Sequence, residues 1–134
     1  MKKMILGTLI ALYATVGIAV ADETALVERV YGLHLFFNER EFVDVLTLRE
    51  SELGLVSGHM FVPDDFAGEI ENLLSFGGGI SFDLLVPKNA SRPEDMYFQY
   101  SGRFFDLGRR QITGFVTLRG TNEFIASFVA FLRE

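Results

Sequence analysis

From residue 80 onward, apolar and polar residues alternate with a period of two, the spacing of a strand whose faces meet different surroundings. Ile80, Phe82, Leu84 and Val86 alternate with Ser81, Asp83 and Leu85. Met96, Phe98, Tyr100, Gly102 and Phe104 alternate with Tyr97, Gln99, Ser101 and Arg103. The pattern returns in Ile112, Gly114, Val116 and Leu118, and again in Phe124, Ala126, Phe128 and Ala130. Turn residues punctuate these runs: Gly77-Gly78-Gly79, the polar loop 87–95, Asp106-Leu107-Gly108 and Gly120-Thr121-Asn122. In the last run Ile125, Val129 and Phe131 make the second face apolar too. Such a strand is either covered on both sides or enters an interface.

The first half carries shorter runs of the same type. Residues 27–37 are closed by Asn38-Glu39-Arg40, 42–48 by Arg49-Glu50-Ser51-Glu52, and 53–62 by Pro63-Asp64-Asp65. Segment 66–76 supports two readings. Phe66, Ile70, Leu73 and Leu74 share one helical face, and Pro63 with two aspartates would start a helix well. Ile70, Asn72, Leu74 and Phe76 also alternate with Glu69, Glu71 and Leu73, and an even strand count closes a meander most simply. The strand is the preferred reading.

Eight short segments joined in sequence predict an all-β domain: an eight-stranded, antiparallel, up-and-down barrel. Glycines 54, 58, 102 and 114, inside strands, suit the bends and tight contacts of a narrow barrel. The architecture resembles that of lipocalin and avidin barrels. No motif of either family accompanies it, so the resemblance implies nothing about function.

The amino-terminal residues change the expected compartment. Lys2 and Lys3 precede an uncharged run from Met4 to Val20, and Ala19-Val20-Ala21 ends it with the small residues a signal peptidase reads. The sequence therefore predicts a Sec-type signal peptide over 1–21, cleaved after Ala21, and a periplasmic or secreted domain over 22–134. Loss of the two lysines moves the net charge from −6 to −8. That balance argues against nucleic acid, which demands a basic stripe, and against an anionic membrane surface once the signal is gone. The chain has no cysteine, so packing alone must stabilise it; 14 Phe, 4 Tyr and no Trp predict a phenylalanine-rich core.

No motif assigns a catalytic chemistry. His34 and His59 are the only histidines, short of the three or four ligands zinc requires, so neither a metal nor a cofactor is expected. The acid pairs Asp64-Asp65 and Glu94-Asp95 read as solvated turn residues, or for the first a helix cap, Glu69 and Glu71 share one strand face where like charges repel, and no nucleophile elbow occurs. The triple glycine lacks the following Lys and Ser/Thr of a phosphate loop.

Two binding constellations remain. Tyr97, Arg103, Phe105, Arg109 and Arg110 surround one turn, and Tyr and Arg are the residues that anchor protein interfaces. They predict a non-enzymatic module that contacts another envelope protein, or a second copy of itself. Phe82, Phe98, Tyr100, Gly114, Phe124 and Phe128 share the presumed inner face. They predict the alternative, a carrier of one small apolar ligand in the lumen. An enzyme of unrecognised type is the third and weakest reading.

Overall fold

The structure is a computed structural model that describes residues 26–133; the predicted signal peptide lies outside the described residues. Those residues form nine strands: β1 (Val27–Phe37), β2 (Arg40–Ser51), β3 (Gly54–Val62), β4 (Phe66–Glu69), β5 (Glu71–Phe76), β6 (Gly79–Val86), β7 (Met96–Phe104), β8 (Gln111–Leu118) and β9 (Phe124–Leu132). They make one antiparallel sheet in the order β4-β3-β2-β1-β9-β8-β7-β6-β5. The first and last strands close it, in register from Tyr31 opposite Leu132 to Phe36 opposite Ser127.

The all-β, up-and-down barrel expected from the alternation is therefore present, with one strand more than the eight predicted. The extra strand comes from segment 66–76, which is extended and contains no helix. It splits at Ile70, so β4 pairs with β3 and β5 pairs with β6. The split has a local cause. Asn72 adopts φ 54°, a left-handed conformation that Asn tolerates, and the β5–β6 register slips between Glu71 and Leu74. Asn72 Nδ2 then donates to Asp83 Oδ2 at 2.8 Å. The Ile70 N–H donates back to the Gly58 carbonyl at 3.1 Å. The barrel is nearly closed, with its seam between β4 and β5.

Inward residues fill most of the interior, as expected for this strand number. Tyr31, Leu33, Leu46, Leu48, Met60 and Phe82 are at most 2% exposed. Phe82 and Tyr100 stack with ring centroids 4.9 Å apart, and Phe128 tilts against Tyr100 at 5.6 Å. These aromatic contacts join β6, β7 and β9 along the inner wall, each contributing on the order of 1 kcal/mol beyond the area it buries.

The two ends of the barrel differ. At the end where β1 starts, the 105–110 loop folds inward with Arg109 at φ 55°. The Arg109 guanidinium pairs with Glu50, which Arg29 also holds. The Tyr31 hydroxyl donates to the Arg109 carbonyl at 2.7 Å, and the guanidinium lies 4.9 Å from the centre of the Phe104 ring. This network closes that end. The opposite end, framed by the 38–39 and 63–65 turns, the 87–95 loop and the 119–123 turn, is open.

Candidate pocket at the open end of the barrel

The open end holds a pocket of about 130 Å³. Leu35, Val62, Phe66, Phe98 and Ile125 form its half-buried rim, and Asp44, Leu84, Val86, Tyr100, Val116 and Ala126 its buried floor. Strand alternation explains most of the composition: Leu35, Asp44, Val62, Leu84, Val86, Phe98, Tyr100, Val116 and Ala126 belong to the inward sets of their strands, and Ile125 joins them at the start of β9, where the β8–β9 register shifts. The 87–95 loop is anchored at the edge of this mouth. Arg92 forks Asp65, with Nη2–Oδ1 at 3.1 Å and Nη1–Oδ2 at 3.3 Å, and also donates to the Pro87 carbonyl. Asn89 Nδ2 reaches Asp65 at 3.2 Å.

Two carboxylates are buried within the described residues, Asp83 at 6% exposure and Asp44 at 4%. Asp83 points to the outer face and is answered by Asn72 and by Arg119, whose Nη1 lies 3.5 Å away. Asp44 points into the pocket, and among the described residues no donor or cation bonds to it. A buried charge without a partner is costly. Burial, with a smaller contribution from the Asp65 charge, pushes the Asp44 carboxyl up to about 6. Burial also raises the Tyr100 hydroxyl, and the Asp44 charge adds to that rise.

Asp44 and Glu50 share the inward register of β2, separated by about 20 Å of extended chain. Glu50, at the closed end, has two arginines. Asp44, at the open end, faces an apolar hollow. Same strand and same face, opposite electrostatic outcomes.

The residues expected from sequence are distributed as follows. Phe98 and Tyr100 line the pocket, while Phe82 and Phe128 lie beneath it, packed on Tyr100. Phe124 is 63% exposed at the start of β9. Gly114 lines a different hollow, an open trough of about 350 Å³ on the barrel flank shared with Gly102, Thr113, Phe115 and Arg103. A Cβ at Gly114 would stand 2.0 Å from the Ser101 carbonyl oxygen, so the β7 backbone occupies that space.

The arginine and aromatic set does not converge on one surface. Tyr97, near the start of β7, lies under the Arg119 guanidinium at 3.9 Å from the ring centre. Phe105, 74% exposed, follows the far end of the same strand, about 26 Å along it. Arg109 is engaged with Glu50, and Arg110 pairs with Asp106 at 2.9 Å. Arg103 is exposed on the flank.

Beyond Phe98 and Tyr100, sequence reasoning missed the pocket lining, Asp44, Leu35 and Val62 included, and Arg92 beside its mouth. A signal for Asp44 existed: an acid in the alternation register of Leu46 and Leu48. Arg92 carried none, because its role depends on a loop folding across to Asp65.

Fold and site together define a small, cysteine-free antiparallel barrel, closed by an ion-pair network at one end and opening at the other into an apolar pocket with an acidic floor. No family model matches the chain, and neither a curated protein nor a solved structure does.

Proposed function

We propose that this protein is an exported, non-enzymatic binding barrel that takes one small, mostly apolar ligand in its open-end pocket. The carrying observation is the vacancy itself. The lumen is packed with side chains elsewhere, yet about 130 Å³ stays unfilled beneath a rim of apolar residues. Small-molecule sites have this composition, apolar walls with very few polar groups. Export rests on the Lys2-Lys3 start, the uncharged run and the Ala-x-Ala ending. The lipocalin-like reading rests on the same architecture, a barrel with one closed and one open end.

Native mass spectrometry of residues 22–134, purified gently from the periplasm of an expressing bacterium, tests the proposal. A small adduct shed on denaturation supports it. A bare mass, with no uptake of benzene-sized probes by the purified barrel, overturns it.

A second reading concerns the outer wall. Phe36, Phe61, Phe115 and Phe131, on β1, β3, β8 and β9, are 44–48% exposed, and Val43 on β2 joins them at 43%. His34, which pairs with Glu41, packs edge-on to Phe131 at 5.7 Å between the rings. An exposed apolar wall suits a second copy of the same wall, since like faces meet in a two-fold dimer. Sedimentation velocity tests this. A dimer that Phe131→Ser dissociates supports it, and a monomer at high concentration refutes it.

A further inference from the structure

The chemistry of the pocket floor narrows the ligand class, on the reading that the pocket binds a small molecule. We infer that the pocket selects an organic ammonium ion: a primary amine on an apolar body about the size of a benzene ring, its nitrogen against Asp44.

Three observations carry this. First, Asp44 is 96% removed from solvent, points into the hollow, and has no partner among the described residues. The other inward or mouth-side acids are matched, Glu50 by Arg29 and Arg109, and Asp65 by Arg92 and Asn89. The fold supplies cations for those acids and leaves this one open. An ammonium group gives Asp44 a charge-assisted hydrogen bond, about twice as strong as a neutral one. Second, Leu84, Val86, Val116 and Ala126 leave nothing else polar on the floor but the Tyr100 hydroxyl. The rest of the ligand must therefore be apolar. Third, the size is limiting. A cavity of about 150 Å³ admits benzene, and this one is of similar volume but opens at its rim, so a short substituent fits. The acidic chain also raises the local concentration of cations over that of anions.

Titration of the floor gives the inference a second handle. The titratable residues lining the pocket are Asp44 from β2, Tyr100 from β7 and Asp65 from the 63–65 turn, the last neutralised by Arg92. Ammonium binding requires ionised Asp44, whose carboxyl is pushed up to about 6. Affinity should therefore hold at pH 7.5 and fall about tenfold by pH 5, where about a tenth of Asp44 remains ionised.

Isothermal titration of the full barrel with benzylamine, benzyl alcohol and toluene tests this, on the wild type and on Asp44→Asn. Benzylamine should bind the wild type at least about tenfold more tightly than benzyl alcohol. Asp44→Asn should erase that preference, and toluene binding is read on the wild type. The pH dependence is read on the wild type and stands even if the variant does not fold. Equal binding of amine and alcohol, a preference that survives Asp44→Asn, or a pH-independent amine affinity each overturns the ammonium assignment. In those cases toluene binding still upholds the pocket. Failure of all three probes overturns both readings.

Discussion

The Cδ1 atom of Ile70 lies only 2.5 Å from where a Cβ on Gly58 would stand. The same two residues share the 3.1 Å backbone hydrogen bond from the Ile70 N–H to the Gly58 carbonyl. One side chain, buried at the corner between β4 and β5, fills the notch left by one glycine in β3 and shuts the barrel seam. The glycine is needed for space, because its missing Cβ would also stand 2.9 Å from the Thr47 carbonyl oxygen.

Gly58→Val should therefore expel Ile70 from its site. The expected loss is about 2–3 kcal/mol, the burial of one aliphatic side chain together with the crowding at Thr47. Urea denaturation measures the loss, and amide exchange at Ile70 should accelerate with it. An unchanged midpoint would show that the seam does not depend on this contact.

Asp44 sets a pH dependence of stability. Its carboxyl is raised in the folded chain from an ordinary 3.8 to about 6. The folded state thus holds this proton more tightly than the unfolded state. The resulting stabilisation is complete below pH 4 and disappears as pH rises through 6. Asp44→Asn, neutral at every pH, should be the more stable protein at pH 7.5, by about 2–3 kcal/mol. The advantage should shrink as the pH is lowered toward 4. Parallel denaturation curves at both pH values, with a constant gap between variant and wild type, would refute this.

Glu50 should behave in the opposite sense. Its side chain is 19% exposed and pairs with both Arg29 and Arg109. Glu50→Ala leaves two arginines facing each other and loosens the loop that caps the closed end. A cost of about 2 kcal/mol is expected, as for breaking a partly buried pair. Asp106→Ala removes a more exposed partner of Arg110 and should cost clearly less. Thermal melts of the two variants rank them; equal melting temperatures would contradict the closed-end network.

Ala126→Phe should fill the pocket. Ala126 is fully buried on the floor, and a ring there would project into the vacancy. Uptake of toluene should vanish. Overpacking costs about 1–3 kcal/mol, so Leu35→Phe at the half-buried rim is the milder companion variant. Undiminished uptake in both folded variants would move the ligand site elsewhere.

Much of the fold was legible because strand alternation is a local property. The runs 27–37, 80–86 and 96–104 coincide with β1, β6 and β7 almost residue for residue. β2 reaches from Arg40 to Ser51, beyond the apolar run 42–48, because its polar ends still pair with β1 and β3. Segment 66–76 read ambiguously since Ile70 satisfies both the helical and the alternating pattern. The structure resolves the ambiguity by bending the chain at that residue.

The pocket was legible only in part. Phe98 and Tyr100 followed from the inner-face register, and Asp44 stood in the register of Leu46 and Leu48. Whether an inward acid finds a cation could not be read there.

By itself, the sequence determined that the chain makes antiparallel strands, in order, around an apolar interior. Period-two burial needs only neighbouring residues to declare itself. Tertiary structure alone decided which end of the barrel is shut and which acid is left open. Closure brings Arg109 to Glu50 across 59 positions of chain, and the 87–95 loop brings Arg92 to Asp65 across 27. Charges separated so far along the chain meet only after the sheet has curved round and joined β1 to β9, and no local pattern encodes which of them will meet.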